Sequence, residues 1–509
     1  MVRPTRPSNQ SIFEISTSPQ PLLALIGRAD DHPVLVAPAG DSISYEQLHV
    51  IVDRLARQIR GAGVEPADAV AVSLPNGPEI VLAFLAIVAT GAAAAPLNPA
   101  YTAAEFRAYL EDLRPRAMLF QGETAEAARG VCAELGIAAL DLPAGPVGDL
   151  SLEAPTRSLP AADPESVALL LHTSGTTSKP KVVPLRQRNL AYSAQTIAAH
   201  YALTPEDVSL CTMPLFHVHG LLASTLATLA SGGTVVVRPR FSPRTFWEDA
   251  VQHGGTWYSA VPTLHHMLVT KAETEPPPRH ELRFARSCSS ALSPSLQGAL
   301  EDRLGVPVLQ AYGMTEASHQ MCSNPLPPGE QRAGSVGPAT GVEVAVLDDD
   351  WRPLSPGSVG EVAVRGPSVI DGYRDNPEAN AASFRDRWFR TGDSGAISVD
   401  GYVSLQGRIK ELINRGGEKI SPHEVEDALT AHPAVAEAVA YAIPDDRYGE
   451  KVAAAVVLRA DASAAELTRH CAERLAAFKV PVSIALLDSI PTGPTGKVQR
   501  RLLAQQVQR

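Results

Sequence analysis

The stretch Leu169-Leu170-Leu171-His172-Thr173-Ser174-Gly175-Thr176-Thr177-Ser178-Lys179-Pro180-Lys181 decides how this chain is read. A short apolar run, bounded by turn-forming residues, has the length and content of a buried strand. It leads into a loop crowded with hydroxyls and closed by two lysines. Backbone amides, hydroxyls and ammonium groups all donate to anionic oxygens, so the loop is suited to a polyphosphate. The string Gly-x-x-x-x-Gly-Lys-Ser/Thr is absent, which excludes a Walker A loop.

Outward from this loop, segments with helical spacing alternate with short strand-like runs. Tyr45 to Ala62 and Gly77 to Thr90 read as helices, and Val70 to Leu74 and Val235 to Arg238 as strands. Such alternation predicts parallel sheets covered by helices. The longest apolar stretch, Ile80 to Pro96, is broken by Thr90 and Gly91 and is shorter than the roughly 20 residues of a spanning helix. It reads as a buried helix followed by a strand. From Glu343 to about Arg408 the pattern changes to strands with tight turns.

Beyond Arg408, Ser421 to Leu429 reads as a helix with Ser421 as cap, Pro422 at its first position and Glu424 completing a capping box. Strands from Ala434 to Ala442 and Lys451 to Leu458 follow, then a helix from Ala464 to Ala477. These form an α+β unit of about one hundred residues, an ordinary domain size. The predicted class is therefore α/β: a large multi-layer N-terminal domain (1–407) with parallel-sheet subdomains and a β-rich subdomain, plus a small C-terminal domain (411–509).

Composition narrows the function. With 509 residues, 45% apolar and 19% charged, the chain can bury a large core. Its formal charge of −11 offers no basic surface for nucleic acid or an anionic membrane. Five scattered cysteines without a Cys-x-x-Cys pair argue against a disulfide framework or a zinc site and suit a reducing, cytoplasmic compartment. No secretory signal or peroxisomal address is apparent at the ends. The expected partners are small molecules, with the chain a monomer or homodimer.

Further segments share the character of the hydroxyl loop. Ala311-Tyr312-Gly313-Met314-Thr315-Glu316 offers an aromatic face, a hydroxyl and a hard oxygen ligand. Phe389-Arg390-Thr391-Gly392-Asp393 offers a carboxylate able to accept two vicinal hydroxyls, and Gly407-Arg408-Ile409-Lys410-Glu411 follows it. Pro491-Thr492-Gly493-Pro494-Thr495-Gly496-Lys497 presents one ammonium on a Gly/Pro turn, and a lysine pKa of ~10.4 keeps it charged.

In their order along roughly residues 30 to 505, these segments resemble the acyl-adenylate-forming, or AMP-binding, superfamily, which includes acyl-CoA ligases, luciferases and the adenylation domains of peptide synthetases. Ser178 departs from the glycine usual in that family's loop. The resemblance implies an ATP- and Mg²⁺-dependent acid–thiol ligase that forms an acyl-AMP and passes the acyl group to coenzyme A. It implies nucleotide contacts by Thr173, Ser174, Gly175, Thr176, Thr177, Lys181, Ser289, Ala291, Ala311, Tyr312, Gly313, Met314, Asp393 and Arg408. It gives Thr315 a contact to the α-phosphate, gives Glu316 and Thr176 the metal, and gives Lys497 the charge of the adenylation step. Lys410 matches a hinge within residues 408–410. Gly416, Gly417 and Lys419 match the loop along the CoA tunnel. His217, in Pro214-Leu215-Phe216-His217-Val218-His219-Gly220, matches the wall between the acyl site and the thiol channel.

The runs Arg286-Ser287-Cys288-Ser289-Ser290-Ala291 and Thr315 to Pro327 resemble, more narrowly, the oxalate–CoA ligase subgroup. Ser289, Ser290 and His319 place donors where relatives that use apolar acids often carry alanine or glycine. A second carboxylate buried without donors would cost several kcal/mol. Oxalate is the expected acid. Malonate, a medium- or long-chain fatty acid, and the loading of a carrier protein are the alternatives.

Overall fold

The computed structural model describes residues 18–37, 40–121, 126–173, 180–491, 498, 500 and 503–504. Among them the strands form four sheets. The largest has eight strands and runs, edge to edge, His319–Ser323, Val308–Met314, Phe284–Ser287, Trp257–Ala260, Val208–Cys211, Thr234–Val237, Pro33–Val36 and Ser42–Ser44. Its interior pairs are parallel, and only the two edge strands are antiparallel. The second, of six strands, holds Val167–His172 beside Ala93–Pro96 and ends in an antiparallel hairpin with Val182–Arg186. The hydroxyl loop joins the two strands of that hairpin.

Three helices, Tyr45–Gly61, Pro78–Ala89 and Gln187–His200, share one apolar core with strands of both sheets. Pro78–Ala89 is apolar nearly all round, and every residue from Ile80 to Val88 is buried, as expected for a helix held between two sheets. Proline at its first position lacks the N–H that would go unpaired there. It is followed by the strand Ala93–Pro96, so the 80–96 stretch is the buried helix and strand expected of it. Among the described residues no helix is long and apolar enough to cross a membrane.

The third sheet, between Glu343 and Arg408, is wholly antiparallel, matching the change of pattern in the sequence. The fourth lies between Ile413 and Leu487 and has its own core with the helices Pro422–Thr430 and Ala464–Ala472. Two local expectations need correction here. Ser421 does cap its helix, accepting from the Glu424 amide at 3.4 Å, but no reciprocal bond from the Glu424 side chain closes a capping box. That carboxylate instead accepts from Lys479 Nζ at 2.6 Å, a charge-assisted bond stronger than one to a neutral amide. The helix expected over Ala464 to Ala477 ends at Ala472, where the Arg474 amide turns to the Cys471 carbonyl three residues back at 3.0 Å, tightening the chain into a turn.

Candidate active site

In parallel sheets, ligands gather beyond the carboxyl ends of the strands. Both α/β sheets turn such ends toward one region: Thr173 follows Val167–His172, Ser289 follows Phe284–Ser287, and Thr315 follows Val308–Met314.

On one side stands a group built around two tyrosines. Tyr312 is buried in the strand Val308–Met314, and its phenol donates to Asp393 in the antiparallel sheet. Burial, reinforced by the Asp393 charge, raises the phenol pKa well above its usual value, so Tyr312 stays a donor. Arg408 is the strand partner of Asp393, and its Nε lies 3.0 Å from the same carboxylate. The second tyrosine, Tyr373, donates to Glu316 Oε1 at 2.8 Å. The Lys181 ammonium lies 4.5 Å from the centre of the Tyr373 ring, a cation–π distance. Tyr312, Asp393, Arg408 and Lys181, four expected nucleotide contacts, are thus gathered with Glu316, an expected metal ligand, and Tyr373 joins Lys181 to Glu316. Glu316 is buried and makes no ion pair within 4 Å among the described residues, leaving a hard anionic oxygen that suits a divalent cation. Thr315 is half-buried at the same bend, with its carbonyl accepting from the Ser318 amide. The Thr173 amide donates to the Lys181 carbonyl and closes the mouth of the hydroxyl loop.

A second, polar group gathers where the strand Val308–Met314 turns back into His319–Ser323. Ser318 and His319 both have positive φ, +50° and +84°, at the turn where the chain folds back into the edge strand. Gly313 lies against that turn. A Cβ there would fall 2.1 Å from the His319 carbonyl oxygen, so no other residue fits. Ser289, also at positive φ (+72°), lies half-buried with its Oγ 3.0 Å from His219 Nδ1. Backbone strain at such non-glycine positions tends to collect at functional sites. The His219 and His319 rings are 4.9 Å apart, and both are buried. Ser290 is exposed and turns its hydroxyl back to the Ser289 carbonyl at 2.9 Å, and Ala291 is exposed beside it.

His217 is half-buried against Phe216, with ring centres 4.8 Å apart. His219, two residues on, starts a π-helix that runs to Leu226, a rare form frequent at functional sites. Lys410 is exposed in the short 3-10 turn Ile409–Glu411. Gly416 and Gly417, at φ of +64° and +100°, turn the hairpin between Ile413–Arg415 and Glu418–Ile420, with Lys419 exposed on its second strand. Ser174, Gly175, Thr176, Thr177 and Lys497 lie outside the described residues.

Sequence reasoning gave no role to His219, Ser259, Arg286 or Tyr373. Arg286 carried a signal, being one cation inside the otherwise apolar strand start Phe284-Ala285. Tyr373 carried none, since its importance comes only from the Glu316 it reaches across the fold.

Comparison with known proteins agrees with this geometry. The family described as AMP-binding enzyme matches residues 26–374, and AMP-binding enzyme C-terminal domain matches residues 424–497. The chain is 46% identical to "Probable CoA ligase CCL9" of Humulus lupulus, over 91% of both chains. It is 45% identical to "Oxalate--CoA ligase" of Arabidopsis thaliana, over 91% of this chain and 93% of that one. Among solved structures, ATP-bound MatB from Rhodopseudomonas palustris superposes with a TM-score of 0.88 at 31% identity, over 95% of this chain and 98% of that one. With matches that span nearly its whole length and a site whose parts meet in space, the chain belongs to the AMP-binding enzyme family.

Proposed function

We propose that the chain is an AMP-forming acid–CoA ligase whose acid is oxalate. The observation that carries this reading is that two unlike groups gather around one hairpin, formed by Val308–Met314 and His319–Ser323. One is the Tyr312, Asp393, Glu316 and Lys181 group, fit for a nucleotide and its metal. The other is the polar group of Ser289, His219 and His319, which offers donors where an alkyl chain would need apolar side chains.

A carboxylate resists attack by a thiol because it is negatively charged and has oxide as its leaving group. In the first half-reaction an oxygen of the acid attacks the α-phosphorus of ATP, giving acyl-AMP and pyrophosphate. In the second the sulfur of CoA attacks the acyl carbon, AMP leaves, and the thioester remains. Mg²⁺, which Glu316 and Thr176 would hold, would supply positive charge to the phosphate oxygens. Tyr312 lies along the adenine, Asp393 accepts from the ribose hydroxyls, and Thr315 donates to the α-phosphate. Lys497 offsets the charge that accumulates during adenylation. The chain divides into 1–407 and 411–509, and the smaller part turns about Lys410 between the half-reactions, withdrawing Lys497 and bringing Gly416, Gly417 and Lys419 to the CoA arm.

Sequence identity to an oxalate–CoA ligase supports the choice of acid. The test is a panel of acids assayed for pyrophosphate release with CoA present. Oxalate is expected to give the highest kcat/KM and an oxalyl thioester. A preference for fatty or aromatic acids would overturn the reading.

A further inference from the structure

Arg286 is completely buried in the strand Phe284–Ser287, yet no carboxylate lies within 4 Å of it among the described residues. A buried charge without a counter-ion is costly, so natural proteins almost always pair it. None of the hydrogen-bond partners of this guanidinium among the described residues is a carboxylate. Nε donates to the Tyr201 phenol at 2.8 Å, Nη2 to Gln320 Oε1 at 3.0 Å, and Nη1 to Ser259 Oγ at 2.8 Å and to His319 Nε2 at 3.3 Å. Arginine stays protonated at any ordinary pH, so the charge is permanent. The register explains the placement. Ser259 and Arg286 are partners on adjacent parallel strands, two residues beyond Trp257 and Phe284, which pack on the same face against Tyr201.

Hydrogen-bond accounting favours one direction. Guanidinium has donors and no acceptor. His319 Nε2, facing Nη1, must carry its lone pair. Ser259 Oγ accepts from Arg286 at 2.8 Å and has one proton to give, and His219 Nε2 lies 2.7 Å away to receive it. That nitrogen also lies 3.5 Å from Arg286 Nη1, where an N–H would point at a cation. His219 therefore carries its proton on Nδ1 and donates to Ser289 Oγ at 3.0 Å. The Ser289 hydroxyl, already an acceptor, is left to donate in turn. Ser289 is the half-buried end of this relay, and the other three members are buried.

We infer that Arg286 is a positioning residue for acid specificity: through Ser259, His219 and Ser289 it orients donors toward the second carboxylate of a short dicarboxylate, whose charge balances the buried guanidinium. This rests on the proposed reading of the site as one for such an acid. A monocarboxylic acid of the same size would leave the guanidinium uncompensated.

The experiment uses the full-length enzyme, with pyrophosphate release measured at varied oxalate, acetate and ATP. Arg286→Met is expected to raise the KM for oxalate by about 10- to 100-fold, the range for hydrogen bonds to charged groups, with the KM for ATP unmoved. The ratio of kcat/KM for oxalate over acetate falls with it. Arg286→Lys is expected to restore part of the loss, since an ammonium still donates to Ser259. Ser289→Ala, at the open end of the relay, is expected to shift KM for oxalate in the same direction without lowering the melting temperature. A parallel rise in the KM for ATP and oxalate, together with a lowered melting temperature, would make Arg286 merely structural and overturn the inference. If Arg286→Met fails to fold, Ser259→Ala and Ser289→Ala decide, and an unchanged oxalate KM in both overturns it. A wild-type enzyme that activates no dicarboxylate defeats the proposed function itself. A wild type that prefers oxalate, with variants that keep that preference, defeats only this inference.

Discussion

The Tyr312 phenol donates to the Asp393 carboxylate, tying a strand of the eight-stranded sheet to a strand of the antiparallel sheet eighty-one residues away. Asp393 is thereby held while the Arg408 guanidinium occupies its other oxygen. For Asp393→Ala we expect the KM for ATP to rise by about tenfold or more, with the KM for the acid nearly unchanged, as befits loss of hydrogen bonds to a charged acceptor. Equal changes in both constants would move Asp393 out of the nucleotide contacts.

The phenol of Tyr373 holds Glu316 in place. Burial raises the Tyr373 pKa, followed by the Glu316 charge, so the phenol remains protonated and donating. Tyr373→Phe keeps the ring that faces Lys181 and deletes only this bond. The expected result is a ~10-fold fall in the adenylation rate and a higher Mg²⁺ concentration for half-maximal activity. An unaltered Mg²⁺ dependence would separate Tyr373 from the metal.

Lys497→Ala is expected to slow adenylation by ~10² or more, the order for removal of a principal charge partner of a transition state. Thioester formation from supplied acyl-AMP should survive. Pyrophosphate release and thioester formation are measured separately, and an equal loss in both would refute the division of labour.

His265 is buried between sheet and helix, with the Tyr258 hydroxyl 3.1 Å from its Nδ1. Burial lowers its pKa to about 4, so it is neutral in the folded enzyme and titrates near 6.5 once unfolded. Between those values the unfolded chain binds more protons, so stability is full above about pH 6.5 and falls as the pH drops toward 4. By pH 5 the loss from this one group is about 2 kcal/mol. Urea unfolding of wild type and His265→Gln at pH 7.5 and 5 checks it: the variant should lose less, and matching losses would clear His265.

Much of this architecture was legible in the chain. Pro78–Ala89 could be read because an apolar helix beside an apolar strand leaves few other solutions, and the Gly/Pro punctuation around it is strong. Tyr312, Glu316 and Asp393 could be named as candidates because their chemistry sits in short runs. His219 and Tyr373 could not. Each gains its meaning from a partner far along the chain, at Ser289 and Glu316 respectively, and nothing local to a residue reports the register that brings those atoms together. The missing half of the Ser421 capping box has the same origin, since Lys479 is 55 residues from the Glu424 it captures.

Tyr312 and His319 sit on the two arms of one tight hairpin, pressed together where Gly313 leaves room for the His319 carbonyl. Evolution toward a bulkier or greasier acid would have to reshape one arm without shifting the other. Drift at His319 would be transmitted through the backbone to Tyr312, whereas changes at Ser289, in the loop after a separate strand, escape that penalty. New acid preferences in this lineage should therefore arise first around Ser289.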